Sequence, residues 1–86
     1  MGRKLYVGNL PYSASEQDLF DKFGASGTVE SAKLITDRDT GRSKGFGFVE
    51  MATDAEARAA IDSLNGTDYD GRPMKVNEAK PQENMS

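Results

Sequence analysis

The side chains best suited to chemistry in this chain lie in two short segments, Leu5-Tyr6-Val7-Gly8-Asn9-Leu10 and Lys44-Gly45-Phe46-Gly47-Phe48-Val49-Glu50-Met51. Successive side chains of an extended strand face opposite sides. Phe46 and Phe48 therefore share one face, while Gly47, Val49 and Met51 share the other. A small domain has one core. If Val49 and Met51 fill it, the two phenylalanines stand outside, where an apolar patch calls for a partner. The same split buries Leu5 and Val7 and leaves Tyr6 outside, so three rings form one platform. A flat ring holds a nucleobase by stacking at ~1–3 kcal/mol per base, and every base has a face to offer. Gly45 and Gly47 each weaken a strand by about 0.5–1 kcal/mol relative to alanine. Their presence predicts that a ligand or a helix comes close to the backbone there.

Composition removes most other chemistries. The 86 residues contain no cysteine and no histidine, which excludes a disulfide framework, a Cys/His zinc site and catalysis built on a thiol or an imidazole. Gly45-Phe46-Gly47 lacks the third glycine and the following helix of a dinucleotide loop. Asp37-Arg38-Asp39-Thr40-Gly41 begins like a calcium loop, but its fifth position is glycine and Phe48 stands where the twelfth-position glutamate belongs. Asn65-Gly66-Thr67 matches a glycosylation triplet but reads better as a helix cap and turn. No metal and no cofactor is expected. No apolar run approaches the ~20 residues needed to cross a bilayer, and Met1-Gly2-Arg3-Lys4 leads straight into a strand pattern. A cytoplasmic protein without membrane contact is expected.

The elements that must position the rings follow from punctuation and period. A first strand, Lys4 to Gly8, stops at Asn9-Leu10-Pro11. A helix starts at Ser13 with Glu16 or at Ser15 with Asp18. Leu19, Phe20 and Phe23 make its apolar stripe, assigned to the core, and Gly24 and Gly27 end it. Val29, Ala32 and Leu34 mark a second strand, with Ser31, Lys33 and Ile35 on its other face in a loose alternation. Thr36 to Ser43 is polar and reads as a mobile loop. After the ring-bearing third strand, Thr53-x-x-Glu56 is a capping box opening a helix through Ala57, Ala60, Ile61 and Leu64. Asp68-Tyr69-Asp70-Gly71 supplies a turn into a fourth strand, with Met74 and Val76 inward and Lys75 and Asn77 outward. The order βαββαβ predicts an α+β, ferredoxin-like fold: a four-stranded antiparallel sheet with both helices on one face. Residues 1–80 form one domain in this reading, and 81–86 a short polar tail. The bare face then gathers Tyr6, Lys33, Phe46, Phe48, Lys75 and Asn77.

The two ring-bearing segments are also where the chain resembles a known family. Lys44 to Met51 resembles the RNP1 motif of the RNA-recognition motif, which reads basic, Gly, aromatic, small, aromatic, aliphatic, any, aromatic; Leu5 to Leu10 resembles its partner RNP2. Met51 departs from the pattern, at a position that faces the core. The similarity spans Lys4 to Lys80 and looks most like small single-domain RNA-binding proteins of bacteria and cyanobacteria. It implies that Tyr6 and Phe48 stack on neighbouring bases, that Phe46 packs against the sugars between them, and that Lys44 contacts a phosphate. Lys80 and the backbone near Ala79 would extend the track. Arg42 and Arg38, in the adjoining loop, could add to the phosphate contacts. Lys33, Lys75 and Asn77 are placed to read base edges, and Lys4 adds charge on the same strands. For Asn9 a turn role is at least as good as a binding role.

Net charge opposes this reading: −3 is the wrong sign for a phosphate binder. The two helical stretches account for it, with Glu16, Asp18, Asp21, Asp54, Glu56 and Asp62 against Lys22 and Arg58. The remainder carries nine bases against eight acids. Stacking must then outweigh Coulomb attraction. The expected function is non-enzymatic, weak to moderate capture of single-stranded RNA by a monomer, serving post-transcriptional regulation or RNA chaperoning. Single-stranded DNA stays open as a ligand, because stacking ignores the 2′-hydroxyl. The rivals are a protein-interaction module using the same sheet or the acidic helix face, and a small acyl-phosphate hydrolase on this architecture. The latter needs a clustered nucleophile, base and anion hole, which the sequence does not supply.

Overall fold

Strand β1 (Lys4–Gly8) buries Leu5 and Val7 completely and leaves Tyr6 half-buried on its other side, as alternation requires. A computed structural model describes residues 3–79, and in it β1 lies inside a four-stranded sheet whose strands run in the order Val29–Thr36, Ser43–Met51, Lys4–Gly8, Lys75–Glu78. Its partners are β3 (Ser43–Met51) and β6 (Lys75–Glu78), both antiparallel, and β2 (Val29–Thr36) pairs antiparallel with the far side of β3. Helices α1 (Glu16–Gly24) and α2 (Asp54–Leu64) cover one face. Leu19 and Phe23 of α1 and Ala57 and Ala60 of α2 form one core with Leu5, Val7, Val49, Met51 and Val76. This is the expected βαββαβ order and the expected ferredoxin-like layering.

Both helices begin where a side chain satisfies an otherwise unpaired N–H. The Ser15 hydroxyl accepts from the Asp18 N–H at 3.2 Å, and the Thr53 hydroxyl accepts from the Glu56 N–H at 3.1 Å. Phe20 departs from the core assignment, being 40% exposed. Leu19 and Phe23 are four residues apart and nearly eclipsed on the helix, whereas Phe20 is turned about 100° away from Leu19. A helix of nine residues lying on a flat sheet buries only that narrow stripe.

The loose alternation of β2 has a specific cause. Val29 pairs with Met51 but Ser31 pairs with Glu50, so Glu30 is an extra residue in the ladder. That bulge shifts the phase by one and puts Val29 on the same side as Ala32 and Leu34, all packed against the core. Thr36 to Ser43 joins β2 to β3 as expected, and the connection closes as a hairpin turn. The Asp37 N–H donates to the Arg42 carbonyl at 2.7 Å, the Gly41 N–H donates to the Asp37 carbonyl at 2.7 Å, and Asp37 Oδ1 accepts the Asp39 N–H at 2.8 Å. Asp37 thus spends its side chain on its own turn.

The stretch expected as a simple turn before the last strand is a small hairpin, β4 (Asp68–Tyr69) with β5 (Arg72–Pro73). Asp70 (φ 55°) and Gly71 (φ 86°) are both left-handed, as a two-residue hairpin turn requires. Asn9 takes its turn role, with φ 57°, and its Nδ2 donates to the Pro73 carbonyl at 2.7 Å, tying the end of β1 to this hairpin. Tyr69 is buried beneath it and donates its hydroxyl to Asp18 Oδ2 at 2.7 Å. Lys80 and the 81–86 tail lie outside the described residues.

The close approach expected at Gly47 is made by a neighbouring strand. A Cβ on Gly47 would collide with the Lys33 carbonyl oxygen and sit 3.1 Å from Leu34 Cα, so the backbone of β2 occupies that space. Gly47→Ala is expected to force β2 off β3 and cost about 2 kcal/mol or more in denaturant unfolding. Gly24→Ala, where nothing lies within 4 Å, should leave stability unchanged or raised. Burial, then the hydrogen bond and charge of Asp18, push the Tyr69 phenol up. A raised folded-state value means stability is intact below the ordinary phenol range near 10 and falls as pH rises beyond it. Tyr69→Phe should flatten that alkaline limb in pH-dependent unfolding.

Candidate nucleic-acid interface

Strand register assembles the bare face. Lys33 of β2 is opposite Phe48 of β3, Phe48 is opposite Tyr6 of β1, and Tyr6 is opposite Asn77 of β6, so one row crosses all four strands. One step along β1, Gly8 is opposite Lys75, and Phe46 falls in that next row. One step the other way, Lys4 is opposite Glu50. Tyr6, Phe46, Phe48, Lys33, Lys75 and Asn77 are therefore together on one surface, as parity predicted, with Lys4 beside them.

The three rings touch. Their centroids are 5.9 Å apart for Tyr6 and Phe46, 6.1 Å for Tyr6 and Phe48, and 6.2 Å for Phe46 and Phe48. These separations lie in the range of favourable aromatic pairs. Each ring is half-buried because it leans on the other two, yet none belongs to the core. Lys4 Nζ lies 5.1 Å from the centre of the Phe48 ring, within cation–π range.

Two contributors were not read from the sequence. The first is Gly8: a Cβ there would fall 2.6 Å from Tyr6 Oη and 2.8 Å from its Cε2, so the tyrosine ring lies along β1 over the bare glycine. Two-residue spacing on one face was the available signal. The second is Glu50, which shares the face of Phe46 and Phe48 by the same parity. Its Oε2 is 3.4 Å from Arg3 Nη2, an exposed pair worth little for stability. What the pair does is set local charge, since Arg3 offsets the Glu50 carboxylate. Lys4, Lys33 and Lys75 then leave the face basic, while the acidic helices pack against its back.

Lys44 and Arg42 are placed elsewhere than the row. They line a recess of about 480 Å³ at the edge of the platform, together with Phe46, Asp37, Thr40 and Tyr12. Arg38 is exposed on the turn and does not line it. Tyr12, 70% exposed, was missed as well. It follows Pro11 in a polar stretch and belongs to neither a helical nor a strand period, so no periodic argument reaches it. Among the described residues there is no cluster of acidic side chains able to hold a metal ion.

With this geometry in view, similarity to known proteins becomes interpretable. A family model described as RNA recognition motif matches residues 5–75. The chain is 55% identical over 82 residues to RbpA of Synechocystis sp., named as a candidate RNA-binding protein, covering 95% of this chain and 81% of that one. Among solved structures it is similar to RNA binding protein PG1, with TM-score 0.89 and 46% identity over 95% of this chain and 99% of that one. It is also similar to the Rna15 RRM with bound RNA (GU), with TM-score 0.85 and 30% identity over 96% of this chain and 88% of that one.

Gly8→Ala is expected to lift the Tyr6 ring from the strand. NMR should show weakened contacts between Tyr6 and Phe46 while the helix and core resonances stay in place.

Proposed function

Because this chain belongs to the RNA recognition motif family, we propose that it captures a short stretch of single-stranded RNA on the face of β1 and β3. The observation that carries the proposal is the row Lys33, Phe48, Tyr6, Asn77 with Phe46 against it, three rings within about 6 Å of one another. Tyr6 and Phe48 stack on neighbouring bases, and Phe46 packs against the sugars between them. Lys44 and Arg42 take phosphates at the platform edge, and Lys4 adds charge over Phe48. Lys33, Lys75 and Asn77 reach base edges, where polar side chains supply sequence preference. The chain is a binding module and not an enzyme, in keeping with its family and relatives.

Magnitudes limit the affinity. Three ring contacts at ~1–3 kcal/mol each total roughly 3–9 kcal/mol before the freedom lost by both partners is subtracted, so dissociation is micromolar at the tightest. Only a few cations face the ligand, so affinity should fall gently with salt, with a logarithmic slope of about −1.4 to −2.1 for two or three phosphates neutralised. Stacking alone accepts DNA as well as RNA. Discrimination between them needs a side chain that contacts the 2′-hydroxyl. We further infer that the protein works as a monomer in the cytoplasm, on transcripts it regulates or keeps unfolded.

A fluorescence titration with randomised short RNA tests the assignment. Phe48→Ala should weaken binding by about 5- to 100-fold, the equivalent of one stacked base. Arg58→Ala, on α2 behind the sheet, should leave it unchanged. Equal losses in the two variants would contradict the proposal.

A further inference from the structure

Tyr12 stands 70% exposed beside the platform, a large ring that no core packing explains. We propose that it forms, with Arg72 and the recess beside Phe46, a third base-stacking position that takes one more nucleotide of the same RNA strand. The inference rests on the reading that the three-ring platform binds RNA, and it adds a site that the two motif segments do not contain.

The support is local and concrete. The short connection that carries Tyr12 is pinned on both sides: the Leu10 N–H donates to the Gly45 carbonyl at 2.9 Å, and Asn9 Nδ2 donates to the Pro73 carbonyl at 2.7 Å. The second bond holds β5, and with it Arg72, next to this connection. The Arg72 guanidinium carbon lies 5.9 Å from the centre of the Tyr12 ring, close enough to hold the ring by cation–π attraction. Tyr12 and Phe46 line the same recess, so a strand leaving Phe46 meets Tyr12 next. The charges suit a phosphate. Arg42 and Lys44 line the recess, and the one acid there, Asp37, already has an oxygen engaged by the Asp39 N–H. A ring to stack the base and two cations for its phosphate make up a nucleotide site.

The test compares strand lengths. Affinity for a randomised RNA trinucleotide and a hexanucleotide is measured for the protein as it is and for Tyr12→Ala, Tyr12→Phe and Phe48→Ala. Exposure of Tyr12 makes its two variants safe for folding, and circular dichroism verifies the fold of all three. Tyr12→Ala should weaken hexanucleotide binding by about 5-fold or more while leaving trinucleotide binding unchanged, and Tyr12→Phe should retain most of the gain. Hexanucleotide affinity unaltered by Tyr12→Ala overturns the third stacking position, as does an equal loss at both lengths. The platform is judged separately: if Phe48→Ala costs nothing on the trinucleotide, the platform reading fails and the Tyr12 extension fails with it.

Discussion

The structure depends on one constraint, the strict alternation of side chains along β1 and β3 held in a single register. Tyr6 is opposite Phe48, and Leu5 is opposite Val49, so each pair sends both of its members to the same side. One side is the core and the other is the ring platform. A slip of one residue by β1 against β3 would turn Tyr6 toward the core and expose Leu5 and Val7. The apolar residues behind the sheet therefore enforce the position of the aromatic residues in front. Stability and recognition are two faces of the same ladder.

The same layering resolves the charge. A chain with net charge −3 can present a basic surface because its helical acids sit on the side away from the rings. The sheet face keeps Lys4, Lys33 and Lys75, and its Glu50 carboxylate is offset by Arg3. Recognition then leans on stacking, with charge as a modest addition. Glycines complete the arrangement in different ways. Gly47 lets β2 lie close against β3, and Gly8 leaves room for the Tyr6 ring to lie flat.

Much of this was legible in the sequence, because period two in the strands and capped periodic helices are local signals. Leu5, Val7, Val49, Met51 and Val76 fell to the core and Tyr6, Phe46 and Phe48 to the opposite face by parity alone. What was not legible depended on register or on non-periodic backbone. The bulge at Glu30 shifts β2 by one residue, which no local pattern announces. Phe20 looked like stripe because it neighbours Leu19, but a short helix on a flat sheet buries only a narrow line. Tyr12 lies in a connection, where exposure is set by the Asn9 and Leu10 tethers and by the neighbouring hairpin turns. Gly47 announced a close approach without disclosing that the neighbour is β2.

The most direct test of the central claim is an NMR titration of the protein with randomised single-stranded RNA, following the ring protons of Tyr6, Phe46 and Phe48 alongside the backbone amides of α1 and α2. The account predicts large upfield shifts of the Tyr6 and Phe48 rings as bases stack on them, with the helix amides nearly unmoved. Ring protons that stay in place while the helix amides shift would contradict it.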